Sequence, residues 1–199
     1  MNKQKHHSKR KKRNNNLSPI IGAGLILFGM ALFLLWPKNE NISGAGDASF
    51  NRNSVVPASV NYPAPQLTLQ NINGNSESLE DFRGSILLVN NWATWCPPCK
   101  AEMPTLKTYY DTHAADGFIT VAIEAGDGKD QVAQFANSMD LKFHVWLDPH
   151  GASLNVFGNG NLPNSYVIDR SGTVRYAWTG EISLAMLEKY VTPLLMESN

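Results

Sequence analysis

The sequence predicts one mixed-sheet α/β domain held outside a membrane by a single apolar span. Three observations carry that reading. Strand-length apolar runs alternate with segments of helical period after residue 63. A Cys96-Pro97-Pro98-Cys99 motif stands between one such strand and the helix that follows it. An uncharged apolar stretch near the N-terminus is preceded by clustered lysine and arginine.

The chain has 199 residues and no net charge, but the charges are unevenly placed. Seven of its 17 basic residues (Lys3, Lys5, Lys9, Arg10, Lys11, Lys12, Arg13) precede Asn14, leaving 10 basic against 17 acidic side chains in the rest. An acidic body repels phosphate, which argues against nucleic-acid binding. At 43% apolar and 17% charged, the composition excludes a polytopic membrane protein, a collagen or a wholly disordered chain. Two cysteines exclude a disulfide-stapled miniprotein and any four-cysteine metal site.

Leu17 to Trp36 contains no charge over 20 residues. At ~1.5 Å per residue it covers about 30 Å, the thickness of a hydrocarbon core. The expected organisation is a basic cytoplasmic tail over 1–16, an uncleaved transmembrane signal-anchor over 17–37 and a flexible linker over 38–62. The domain over 63–199 then lies outside the membrane, in the envelope of a prokaryote. The competing reading is a cleaved signal peptide, since Ser43, Gly44 and Ala45 are small, but such apolar regions normally run ~7–15 residues.

Within the domain, Gln66–Gln70 alternates in polarity, Asn73-Gly74 is a hairpin turn, and Ser76–Leu79 returns as the second strand. Glu80–Gly84 reads as a turn or helical corner. Ser85–Asn91 is an apolar run suited to a central strand buried on both faces. Lys100–His113 carries Met103, Leu106 and Tyr110 on one helical stripe. Phe118–Glu124 is a strand, Lys129–Met139 a helix, Phe143–Leu147 a short strand and Gly151–Phe157 a short helix. Ser165–Ile168 and Thr173–Trp178 form a hairpin across the turn at 169–172. Ser183–Met196 closes the chain as one helix.

The placement of the cysteines at a helix N-terminus carries the chemistry. Unpaired N–H groups and the helix dipole favour a thiolate there, and a spacing of three sets both sulfurs on one side of the first turn. Cys96, ending the strand segment, is expected to be the exposed nucleophile, and Cys99 the resolving thiol. Pro97 and Pro98 fit the first helical turn but withhold two backbone donors, so the lowering of the thiol pKa is expected to be mild. A zinc site would need a second ligand pair, and His113, His144 and His150 show no such spacing. A purely structural disulfide would close too small a loop to stabilise much.

These residues resemble the TlpA/ResA-type thioredoxin-fold proteins, membrane-tethered thiol–disulfide oxidoreductases, over about residues 63–195. The most specific stretch is Asn90-Asn91-Trp92-Ala93-Thr94-Trp95-Cys96-Pro97-Pro98-Cys99-Lys100-Ala101-Glu102-Met103-Pro104, where the family shows NFWATWCxPCxxEMP. Asn91 replaces the usual phenylalanine. The resemblance implies a thioredoxin-like fold with a mixed central sheet and an N-terminal β-hairpin extension. It assigns Cys96 and Cys99 as the redox-active pair and Glu102 as the carboxylate that tunes them. Pro104 corresponds to the kinking proline of the active-site helix. Leu162-Pro163-Asn164-Ser165-Tyr166-Val167-Ile168-Asp169 is similar to the family's LPTTFLID, which makes Pro163 the cis-proline and Leu162 the backbone that meets a substrate peptide. Trp95 is expected at the substrate rim and Trp92 in the packing.

The implied partners are protein disulfides or dithiols, such as those of apocytochrome c in cytochrome c maturation or of a copper-delivery protein, and a thiol electron donor, and no cofactor or metal is called for. Asn90 stands where cytoplasmic thioredoxins carry a buried acid, which leaves proton transfer to Glu102. Two other functions compete. A peroxiredoxin-like thiol peroxidase would require Pro and Thr where this chain has Val89 and Ala93. A copper-binding module could use the two thiolates but would need a third ligand.

Overall fold

The computed structural model describes residues 55–197. The basic tail, the apolar span, most of the linker and the last two residues lie outside the described residues. Among the described residues no helix is long and apolar enough to cross a membrane.

Eight strands form one sheet: β1 (Ala58–Pro63), β2 (Thr68–Asn71), β3 (Ser76–Ser78), β4 (Ile86–Trp92), β5 (Phe118–Glu124), β6 (His144–Leu147), β7 (Asn164–Ile168) and β8 (Thr173–Thr179), in the order β1-β8-β7-β4-β5-β6-β2-β3. β4, β5 and β6 are parallel, and the remaining pairs are antiparallel. Five helices complete the domain: α1 (Pro97–His113), α2 (Lys129–Ser138), α3 (Ala152–Phe157), α4 (Leu184–Tyr190) and α5 (Thr192–Met196). A short 3₁₀ turn over Leu79–Phe82 is closed by a capping box between Ser78 and Asp81.

Every residue of β4 is buried, as expected of a strand covered on both faces. Alternation along it divides the core in two. Ile86, Leu88 and Trp92 face α1, α2, α4 and α5. Leu87 and Val89 face the other layer, with Trp146, Tyr166 and Ile168. The β2–β3 hairpin is fastened to β6 through Glu77, whose carboxylate accepts from Asn71 Nδ2 (2.6 Å) and Trp146 Nε1 (2.5 Å), with His144 Nδ1 at 2.9 Å.

Two expectations are corrected. The end of the predicted linker is a strand: β1 starts at Ala58 and pairs antiparallel with β8. Its side chains are almost all exposed, with Val60 alone half-buried against the core, so pairing of its backbone with β8 is what mainly holds it. The last helix is broken at Val191 into α4 and α5, because Pro193 has no N–H to give and its ring opposes the carbonyl four residues back. The chain enters the domain beside the far end of β8, where a Cβ on Gly180 would fall 3.1 Å from Val55 Cγ2. Gly180 N in turn donates to Pro163 O at 2.8 Å.

Candidate redox-active site

β4 delivers the chain to a three-residue loop, and Cys96 then caps α1. Its backbone is extended (φ −89°, ψ 108°), Pro97 and Pro98 occupy the first turn, and Cys99 N points at Cys96 Sγ from 3.4 Å. The two cysteines are joined as a disulfide, with their Cα atoms 5.3 Å apart. Pro97 and Pro98 carry no N–H, so Cys99 supplies the first backbone donor that the helix offers the sulfur. The expected exposure of Cys96 is corrected: it is 4% exposed and Cys99 is fully buried. The pair sits in the core cluster with Trp92, Ala93, Met103 and Leu106, and the loop is closed by Cys96 N donating to Ala93 O at 3.1 Å. Of the two residues, Cys96 is the less deeply buried. Trp95 stands out beside it at 64% exposure, whereas Trp92 is buried against Phe135.

Glu102 lies three residues after Cys99 on the inward side of α1 and is fully buried. Its Oε1 accepts from Asn90 Nδ2 (2.7 Å) and its Oε2 from the Ile182 N–H (3.1 Å). Asn90 Nδ2 also donates to Ser165 Oγ (2.9 Å), while Asn90 Oδ1 is buried without a hydrogen-bond partner. Burial pushes the Glu102 carboxyl up to about 8, against the two donated hydrogen bonds and with some help from the charge of Glu181. A solvated helix glutamate is thereby ruled out.

A second carboxyl pair holds the loop before Cys96. Asp127 Oδ2 accepts from Thr94 N (3.1 Å) and Thr94 Oγ1 (2.6 Å), and Asp127 N donates to Glu124 Oε2 (2.8 Å). Burial first, and then the contact with the Asp127 carboxyl, push Glu124 up to about 8. Asp127 ends below the ordinary carboxylate range: burial opposes its ionisation but is outweighed by hydrogen bonds from Glu124 and Thr94. Glu124 therefore carries the proton of the pair near neutral pH.

The Leu162–Pro163 peptide bond is cis. Leu162 packs against the same core cluster that contains Cys96 and Cys99, and Pro163 is buried next to it. Asn164 and Ser165 follow on β7, in register with Asn91 and Asn90 of β4. Paired residues share a face, so Asn90 and Ser165 lie under α1 beside Glu102, while Asn91 and Asn164 lie on the opposite side. There Ser153 Oγ donates to Asn91 Oδ1 (2.6 Å) and Asn91 Nδ2 to Asn164 Oδ1 (2.8 Å). Asn164 Nδ2 donates to the carbonyls of Asn161 (2.6 Å) and Asn159 (3.3 Å).

Cys96, Cys99, Glu102, Leu162 and Pro163 are thus gathered around one end of β4 and α1, with Trp95 on the adjoining surface. Sequence reasoning did not reach Glu124, Asp127 or Ser153, and met Asn164 only as a departure from the family's LPTTFLID. The signals available were that departure and Asn91, polar where the family has phenylalanine.

Residues 60–177 match the model of the AhpC/TSA family. The chain is 32% identical over 132 residues to thiol-disulfide oxidoreductase ResA of Geobacillus kaustophilus, covering 66% of this chain and 76% of that protein. It is 34% identical over 128 residues to ResA of Bacillus thuringiensis, covering 64% and 74%. Its structure superposes on the crystal structure of a thioredoxin-family thiol:disulfide interchange protein from Chlorobium tepidum with a TM-score of 0.62 and 28% identity, over 69% of this chain and 99% of that one.

Proposed function

Because the chain belongs to the AhpC/TSA family, within its ResA-like thiol–disulfide oxidoreductases of thioredoxin fold, we propose that Cys96 and Cys99 reduce protein disulfides outside the membrane. The observation that carries the assignment of residues is the Cys96–Cys99 disulfide capping α1.

In the reduced enzyme the Cys96 thiolate attacks one sulfur of a substrate disulfide. That S–S bond breaks, a mixed disulfide forms, and one substrate thiolate leaves and takes up a proton. Cys99 then gives its proton to the ionised Glu102 carboxylate and attacks Cys96 Sγ. The mixed disulfide breaks, the second substrate thiolate leaves, and the Cys96–Cys99 disulfide stores the oxidising equivalent. Two electrons have passed to the substrate. A thiol electron donor returns the pair to the dithiol by the same steps in reverse. Leu162, beside Pro163, offers backbone to an extended substrate segment, and Trp95 offers an apolar surface beside the attacking sulfur.

The family resemblance supports a substrate of the kind used in cytochrome c maturation, a dithiol or disulfide in an unfolded apoprotein. The apolar span over 17–37 and the basic tail support membrane anchoring with the domain outside. Peroxide reduction is disfavoured by Val89 and Ala93, which are buried and apolar where that chemistry uses proline and threonine.

The order of attack is tested by trapping. Cys99→Ser is expected to accumulate adducts with partner proteins on non-reducing gels, removable with reductant, and Cys96→Ser few. Equal or reversed trapping would refute Cys96 as the nucleophile. Purification of the trapped adducts then tests the substrate class: haem-binding apoproteins are expected, and their absence would remove the cytochrome c proposal.

A further inference from the structure

On the face of the sheet away from the cysteines, three fully buried polar side chains form a one-way line of hydrogen bonds. Ser153 donates to Asn91, Asn91 donates to Asn164, and Asn164 donates to two carbonyls of the loop before Pro163. Burying two amides and a hydroxyl costs stability unless their hydrogen bonds are made. Here each amide accepts on its oxygen and donates from its nitrogen in the same sense, an arrangement that strengthens successive bonds. The line begins in the first turn of α3, where Asp148 accepts from Ala152 N and Ser153 N at 2.8 Å each. It ends on Gly158-Asn159-Gly160-Asn161, a loop of two glycines and no charge.

We propose that Asn91 is a positioning residue for the substrate-binding loop, acting through Asn164 to set the pose of Leu162. This rests on the reading that Leu162 and Pro163 meet the substrate. Asn91 Nδ2 holds Asn164 Oδ1, and so aims the Asn164 amide hydrogens at the Asn159 and Asn161 carbonyls. An apolar side chain at 91 would leave Ser153 Oγ and Asn164 Oδ1 without their present partners, and the Asn164 amide would be free to turn away from the loop. The loop would then keep Gly180 N to Pro163 O at its far end and the local contacts of Asn159 with Leu154 O and Thr179 Oγ1. The segment just before Leu162 would lose its two ties to β7. Asn91 touches neither cysteine in this network, so it acts on where a peptide lies rather than on how the sulfurs react.

The test compares a protein disulfide with a small one. Asn91→Leu keeps the side-chain shape but removes both hydrogen bonds, and Ser153→Ala removes the far end of the line alone. For Asn91→Leu, KM for insulin is expected to rise about three- to tenfold, the effect of one or two lost hydrogen bonds. The rate with dithionitrobenzoate and the Cys96–Cys99 reduction potential should stay at wild-type values, and amide exchange over 159–162 should accelerate. Ser153→Ala should move KM and exchange in the same direction, by less. Unchanged KM and exchange would overturn the inference, as would an equal loss with both disulfides, which would mean general damage to the core. If Asn91→Leu does not fold, exchange in Ser153→Ala decides. A wild-type chain that reduces neither disulfide overturns the redox reading instead, and loop exchange then still decides the role of Asn91.

Discussion

A carboxyl buried without a cation holds its proton well above the usual range, and Glu102 turns that cost into a titration at working pH. With its carboxyl at about 8, Glu102 in the proposed role would accept a proton from Cys99 effectively only as the pH approaches that value. Turnover with a protein disulfide should therefore rise with pH through about 8, and Glu102→Gln should remove that rise and slow turnover at pH 9 about tenfold or more. Identical pH–rate profiles for the two proteins would dismiss Glu102 as the proton acceptor. Asn90 can support the amide, because its unpaired Oδ1 is available to face a new N–H. The same shift has a stability consequence. The folded carboxyl binds its proton more tightly than the unfolded one, whose ordinary value is 4.5. Stability from this group is thus full below about 4.5 and is lost as the pH rises to about 8. Urea midpoints of the oxidised protein should fall across that window, and Glu102→Gln should flatten the fall.

At the scale of elements, the C-terminal end of the final helix is tied down by one side chain. Arg170, just after β7, donates to the carbonyls of Leu194 (2.8 Å), Leu195 (3.0 Å) and Glu197 (3.1 Å), satisfying the C-terminal end of α5. Arg170→Ala should cost about 1–2 kcal/mol in a urea unfolding experiment, and an unchanged midpoint would show that water replaces the guanidinium without loss. Neither this tie nor the split of the last helix was legible in advance, although Pro193 was in view: the apolar period of Leu184, Leu187, Val191 and Leu194 runs straight through the break. The strands β4 to β8 were legible because each is an apolar run or, as in Val174, Tyr176 and Trp178 of β8, an alternation. β1 was not: Ala58, Val60 and Tyr62 do alternate with Ser59 and Asn61, but the run is short, mostly exposed and set among Pro57, Pro63 and Pro65, which reads as linker. The site divides the same way. Cys96, Cys99 and Glu102 follow one another at intervals of three residues along the start of α1 and announce themselves locally. The partners of Asn91 arrive from α3 and β7, 62 and 73 residues further along the chain, a distance that no local pattern spans.

For the whole molecule, the proposed anchoring makes a direct forecast. Protease added to intact spheroplasts should digest the domain while the basic tail stays protected, and a protected domain would reverse the proposed topology. The point where the chain enters the sheet adds a second consequence. Val55 lies against Gly180, one residue from β8 and hydrogen-bonded to Pro163, so a leash in the proposed arrangement would join the domain at the same end as the loop before Pro163. Whatever shape it takes, the stretch over 38–54 spans no more than about 60 Å. An anchored domain would therefore search only a shallow shell above the bilayer, where a membrane-held partner meets it at an effective concentration on the order of millimolar. Doubling that stretch should slow turnover of a membrane-bound substrate and leave a soluble one unaffected; equal rates on both would free the enzyme from its leash. Two dimensions, rather than affinity, would then choose its clients.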